Sequence, residues 1–310
     1  MHKNMTFFLL IRVTMMISNG RIGRKERKQN MKNRFDIING KCVVPDGVTE
    51  IPEDEFLGCK ELKEIVIPET VTIIPNAAFF FCKSLEKVCL PASVKEIQSQ
   101  AFEGCSKLKS IEIPDGVPEL NHSAFYRCAS LKKIKIPKSV TRIHNFAFCR
   151  CLNLETIEVA DDNPAYKSEL NCCLTKDGKT LVFGCKSSVI PGSVKVIKEF
   201  AFYGCTGLKS IRIPDGVEII ENGVFGDCTR LTSINIPESV KLVDISFMGG
   251  APIKEIYLSS KNPDDRLDLK EALKCHRLKD IDLHVPEESY YAYKNHSFFT
   301  RFRMIHSWNG

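Results

Sequence analysis

The feature that most constrains this chain is a repeat of fixed period. Cys105-Ser-Lys-Leu-Lys-Ser-Ile-Glu-Ile-Pro114 returns 23 residues later as Cys128-Ala-Ser-Leu-Lys-Lys-Ile-Lys-Ile-Pro137. An apolar pair and an Ala-Phe step, as in Val140, Ile143, Ala147 and Phe148, fill the space between each proline and the next cysteine. A period of roughly 20–50 residues marks a solenoid, whose units are each too small to bury their apolar side and bury it by stacking. The L-x-x-I-x-I segment alternates like a short strand, and the proline behind it has no N–H to give a ladder, so it marks a corner. The Ala-Phe-x-x-Cys segment lacks alternation and is predicted to turn the chain back as a short helical or 3₁₀ piece.

The first proline in register is Pro45, followed by Val48, Ile51 and Phe56, so the amino end of the stack is a partial, capping turn. Full turns carry Pro68, Pro91, Pro114 and Pro137, and the turn opened by Cys151 has Ala160 in the proline's place. The register then breaks, and Asp177-Gly178 between two β-prone runs predicts a β-hairpin insertion at about 161–190. The repeat resumes with Pro191, Pro214 and Pro237 and with Phe202, Phe225 and Phe247, while Gly250 replaces a cysteine. Ser259 to Lys270 is polar and leads into a predicted short helix over Asp268 to Leu273. The last strand is placed at Leu278 to Leu283, behind Cys275. Pro286, Glu287 and Glu288 suit a helix start in a carboxyl-terminal cap at about 284–305, closed by Tyr290, Tyr293, Phe298, Phe299 and Phe302. One solenoid over 35–305 is therefore expected, behind a basic segment, 1–34.

The net charge of +6 is misleading about partners. Residues 1–34 hold nine Lys/Arg and one acid, Glu26, a balance of +8 that leaves −2 for the repeats. Nucleic acid is accordingly not an expected partner. The apolar run 7–17 is broken by Arg12 and is shorter than the roughly 20 residues of a membrane span. Three readings of the amino end stand open: a poor signal sequence, a disordered basic tail, or an upstream stretch absent if translation starts at Met31.

Of the 14 cysteines, Cys59, Cys82, Cys105, Cys128 and Cys151 are each 23 apart, and Cys205 and Cys228 resume the phase. Rungs about 4.8 Å apart with parallel Cβ vectors hold the Cβ atoms beyond the usual disulfide range of about 3.5–4.5 Å. Free thiols filling one layer of the core are expected, and these favour a reducing compartment. None of the seven histidines has another at i+4, no cluster supplies two C-x2-4-C pairs, and there is no G-x-S-x-G, phosphate loop or H-E-x-x-H. No catalytic residue, metal or cofactor is expected, and no enzyme.

The I-x-I-P-x-x-V-x-x-I-x-x-x-A-F-x-x-C units, the insertion around Lys176-Asp177-Gly178-Lys179-Thr180 and the closing Val285-Pro286, Tyr290 and Tyr293-Lys294 resemble the BspA-like leucine-rich repeat family over about residues 40–300. The resemblance implies a β-rich solenoid, a right-handed leucine-rich repeat superhelix with short helical or 3₁₀ turns. It also implies adhesion or protein binding at a cell surface without catalytic machinery.

The outward residues of successive strands form one face of such a stack. Six of them are the candidate protein-binding set: Glu112, Lys135, Glu158, Arg212, Asn235 and Tyr257, with Asp282 next in the row. The alternating signs of Glu112, Lys135 and Glu158, and of Glu64 and Lys87, predict pairing across rungs at roughly 0.2–1 kcal/mol each. Arg212, Asn235 and Tyr257 include residue types that anchor interfaces. The expected function is non-enzymatic protein binding through the concave face, adhesin-like, by a monomer with an unidentified protein partner. The alternative is an intracellular interaction scaffold with a reduced cysteine ladder.

Overall fold

The computed structural model describes residues 34–308 apart from 245, 266 and 274–276. The apolar run 7–17, Met31, nearly all of the basic run and Cys275 lie outside the described residues. From Ile37 onward, each repeat makes one rung with three sides. On the first, strands stack in parallel and in register: Ile65 lies opposite Val88, Ile134 opposite Ile157, and Ile234 opposite Ile256. These isoleucines and valines point inward, and Lys133–Ile136 alternates exposed and buried as the sequence pattern requires.

The second side consists of two-residue strands. Ile73–Ile74, Glu96–Ile97, Glu119–Leu120 and Arg142–Ile143 form one parallel sheet, and Val196–Ile197, Ile219–Ile220 and Leu242–Val243 continue in another. The third side is the Ala-Phe segment. It closes through i→i+3 bonds, Glu103 N to Gln100 O at 3.0 Å and Cys105 N to Phe102 O at 3.2 Å. It also bonds to the next rung, Phe102 N to Ala124 O at 2.9 Å. Two residues four apart have positive φ in seven of these turns, such as Gln100 at 61° and Gly104 at 74°, or Ser123 at 57° and Arg127 at 61°. These left-handed residues stop the 3₁₀-like bonding from running on as a helix.

The core is a column of rings. Phe56, Phe79, Phe102, Phe125 and Phe148 stack with centroids 5.3, 5.1, 5.6 and 5.4 Å apart. Beside it five register cysteines donate their thiols to the phenylalanine carbonyl one rung back, among them Cys82 to Phe56 at 2.8 Å, Cys105 to Phe79 at 3.1 Å and Cys128 to Phe102 at 3.2 Å.

The insertion holds the expected hairpin, Cys172–Thr175 with Thr180–Phe183, and a second one before it, Tyr166–Glu169 with Cys172–Thr175. The second turns on Leu170 and Asn171, with φ of 49° and 58°, without the glycine that makes such turns readable. The insertion is built into the stack. Thr180–Phe183 pairs in parallel with Val196–Ile197, and Phe183 continues the ring column 4.8 Å from Phe148. On the third side the rungs close up across it: Arg150 N donates to Tyr203 O at 3.2 Å, and Phe146 stacks on Phe200 at 4.2 Å.

At the amino end a hairpin not among the elements expected from the sequence, Ile37–Ile38 with Lys41–Val43 around Asn39-Gly40 at φ 53° and 86°, precedes the partial turn of Pro45 to Phe56. The carboxyl end corrects one expectation. Leu278 to Leu283 is not a strand: Leu278–Asp280 is a 3₁₀ turn closed by Ile281 N to Leu278 O at 3.0 Å, and the strand is Asp282–Pro286. Leu278 and Ile281 keep strand-like spacing yet are buried from a turn. Helices run over Leu267–Leu273 and Tyr290–Asn295, and a final strand, Met304–Trp308, lies parallel to Asp282–Pro286. Tyr293, fully buried, donates its hydroxyl to Ser260 O at 3.0 Å and packs on Phe299 in the closing layer.

Candidate functional site

The six candidate residues lie on the outward face of the first side. Lys135 stands opposite Glu158, and Asn235 opposite Tyr257, while pairing of Ile211 with Ile234 sets Arg212 beside Asn235. Glu112 lies one rung before Lys135. Between Glu158 and Arg212 the insertion presents Leu170 and Val189, 55% and 60% exposed and joined by Val189 N to Leu170 O at 3.1 Å. The candidate set is therefore split into two groups of three.

In the first group, the expected pairing of Lys135 with its neighbours is not what forms. Glu158 pairs diagonally with Lys133 at 2.6 Å, and Lys135 and Glu112 join no ion pair among the described residues. A long lysine reaches the diagonal neighbour as readily as the directly opposed one. Glu64 does pair with Lys87, at 3.7 Å, and more closely with Lys41, at 3.2 Å, whose hydrogen bond holds the Glu64 carboxyl below its ordinary pKa.

In the second group, Asn235 is occupied. Its Oδ1 accepts from Ile213 N at 2.8 Å and its Nδ2 donates to Ile213 O at 3.0 Å. In a parallel ladder the Ile213 carbonyl would take the N–H of the residue after Ile236, but that residue is Pro237 and has none. The carboxamide supplies the donor and an acceptor at once.

Tyr257 opens a row of rings. Its register partner is His284, not Asp282 as the sequence spacing suggests; Asp282 stands opposite Glu255, two residues out of the expected phase because the strand starts late. Tyr257 stacks on His284 at 4.2 Å, His284 on His306 at 4.9 Å, and Trp308 meets Tyr257 edge-on at 5.2 Å. Tyr257 donates its hydroxyl to Glu255 at 3.1 Å. Arg303 Nε bonds Asp282 Oδ1 at 2.7 Å and its Nη2 bonds the other oxygen, which holds the Asp282 carboxyl below its ordinary pKa. Burial, then the neighbouring His306, lowers the His284 pKa, against the opposing pull of Glu255 and Asp282. His284 Nε2 and Trp308 Nε1 are buried with no hydrogen-bond partner among the described residues. His284, His306 and Trp308 are absent from the sequence-derived set, although Asp282-Leu-His-Val and Met304-Ile-His-Ser-Trp both alternate and could have placed them.

Among the described residues, no group of three or more His, Cys, Asp or Glu is disposed to hold a metal ion, and no helix is long and apolar enough to cross a membrane.

Strands on one side, Ala-Phe turns on another and a buried ring column, one rung per repeat, define a β-solenoid of the leucine-rich repeat class. The chain belongs to the family described as the BspA type leucine rich repeat region, whose profile matches it in six copies over residues 40–169 and 183–299. The fold is similar to that of a leucine-rich repeat protein from Eubacterium ventriosum, with 21% identity, a TM-score of 0.58, and coverage of 86% of this chain and 72% of that one. It is likewise similar to a leucine-rich repeat protein from Bacteroides ovatus, with 22% identity, a TM-score of 0.54, and coverage of 90% and 74%. No curated protein sequence matches the chain.

Proposed function

We propose that this chain is a non-enzymatic protein-interaction module, acting as a monomer through the outward face of its first side, with adhesion at a cell surface as its role. The observation that carries this reading is the row Tyr257, His284, His306 and Trp308, four rings in contact on an outward sheet face, with Arg212 two rungs from Tyr257. Tyrosine, tryptophan and arginine are the residue types that most often supply the energy of an interface. In the other group, the pairing of Glu158 with Lys133 serves solubility. The test is affinity for a partner identified by crosslinking on the source cells, measured by calorimetry for Arg212→Ala and Tyr257→Ala. Each is expected to weaken binding about tenfold, the effect of about 1.4 kcal/mol. Unchanged affinity in both would remove the binding face from this end.

A second reading, an interaction scaffold in a reducing compartment, rests on the thiols. Cys82, Cys105, Cys128, Cys151 and Cys228 are engaged as donors to carbonyls, a role that a disulfide would abolish. Intact mass of the protein from its source, alkylated without reduction, separates the two readings: nearly complete alkylation favours the scaffold, and protected cysteines favour export.

A further inference from the structure

The first side is not continuous. Between Lys87–Cys89 and Lys133–Ile136 the rung containing Ile111, Glu112 and Ile113 forms no strand. It is tied to the rung before it by the Lys87 to Ser110 bridge and by Lys109 N to Glu86 O at 3.3 Å. Beyond Ser110, no backbone hydrogen bond of Ile111, Glu112 or Ile113 to a neighbouring rung forms among the described residues. The opening is a groove of about 720 Å³ whose lining includes Glu112, Ile113, Lys133, Lys135, Lys138 and Asp162.

At three other places in this chain a polar side chain bonds to the backbone where a ladder bond is missing. Ile213, the counterpart of Ile113, has both backbone groups taken by the Asn235 carboxamide. Where the insertion interrupts the ladders, Ile143 N donates to Tyr166 OH at 3.2 Å and Val159 N to Ser168 Oγ at 3.2 Å. Lys135 stands to Ile113 as Asn235 stands to Ile213, and an ammonium group has donors only, so its side chain cannot accept the Ile113 N–H. Pro137, like Pro237, has no N–H for the isoleucine carbonyl.

We propose that this seam is the docking point of an extended segment of a protein partner that presents an asparagine or glutamine carboxamide, which bonds Ile113 as Asn235 bonds Ile213. The segment lies along the outward face, and the groove's charges of both signs suit a polar, uncharged segment better than an acidic or a basic one. The inference rests on the protein-binding reading above and adds to it the chemistry of the partner and a second contact in the amino-terminal half.

The test uses the full ¹⁵N-labelled chain and three acetylated, amidated peptides, Ser-Thr-Asn-Thr-Ser and its analogues with alanine or aspartate in the centre. The asparagine peptide is expected to shift the amides of Ile113 and Lys135 and to slow exchange of the Ile113 amide about fivefold, the effect of one hydrogen bond of about 1 kcal/mol. The alanine and aspartate peptides should do neither. Lys135→Asn should slow Ile113 exchange similarly without peptide and abolish the peptide's shifts. The inference is overturned if the asparagine peptide leaves Ile113 unmoved, or if the alanine peptide acts equally. Should Lys135→Asn fail to fold, the three titrations on the unaltered chain decide the matter alone. Shifts confined to Tyr257 and His284, or loss of partner binding by Tyr257→Ala with Ile113 unmoved, would overturn this inference and leave the interaction module standing.

Discussion

Replacing Asn235 separates a ladder-filling role from a binding role. Its side chain makes two hydrogen bonds to one peptide unit, at 2.8 and 3.0 Å. A hydrogen bond contributes roughly 1 kcal/mol net, and removing a buried partner costs roughly 1–3 kcal/mol. Because the site is half-buried and water can enter, Asn235→Ala is expected to cost about 1–2 kcal/mol. Asn235→Asp is the sharper perturbation. At neutral pH one carboxylate oxygen still accepts the Ile213 N–H, but the other faces the Ile213 carbonyl oxygen, so the loss should at least equal that of alanine. That repulsion raises the carboxyl's folded pKa above the unfolded value of about 3.9. The folded state then binds the proton more tightly, so relative to the unaltered protein the variant regains stability as pH falls through the folded pKa and loses it as pH rises. Urea unfolding followed by the fluorescence of Trp308, the one tryptophan in the chain, reads both variants. An Asn235→Ala loss under about 0.3 kcal/mol, or no acid recovery in Asn235→Asp, would refute the argument and return Asn235 to the candidate binding set.

Phe102→Ala breaks two stacks in the ring column, at 5.1 and 5.6 Å, and should cost about 3–5 kcal/mol, read as a lowered urea midpoint. At Cys105, serine keeps a donor to Phe79 O and valine does not, so Cys105→Val should be the less stable of the two despite its apolar side chain; the reverse order would remove the thiol bond as a structural term. Burial pushes the Cys82 and Cys151 thiols up to about 12, so a thiol reagent at neutral pH should label them only after unfolding, as peptide mass spectrometry would show; labelling of both in the native protein contradicts this. Burial and His306 lower the His284 pKa, so its unfolded form takes up protons first: stability is full above about pH 6.5 and falls as pH drops toward the lowered folded value. Thermal melts from about pH 8 to about pH 5 should show a smaller fall for His284→Phe, with Glu255 and Asp282 opposing the effect in the unaltered chain.

The features legible in the sequence are those that each rung determines for itself. Phe79, Phe102 and Phe125 recur once per period beside a small alanine and lie fully buried in one column, and the cysteine three positions beyond each is bound to the same layer. The features that escaped need two rungs to define them. Asn235 reads as an outward polar residue until Pro237 is set against Ile213, and the opening at Ile113 is a gap between two rungs that no spacing in the sequence marks. The slip at Asp282 has the same origin: Leu278 and Ile281 satisfy the strand spacing from within a 3₁₀ turn, and only pairing with Glu255 and Tyr257 places Asp282 and His284. Core packing dictates the inward residue at each level, and hydrogen-bond satisfaction dictates the outward ones at the seams. Arg212, Tyr257, His306 and Trp308 are explained by neither requirement. An outward residue that neither fills the core nor mends a ladder is where a repeat chain can vary its surface without altering its stack, which is the physical ground on which Arg212 and Tyr257 are proposed as contacts.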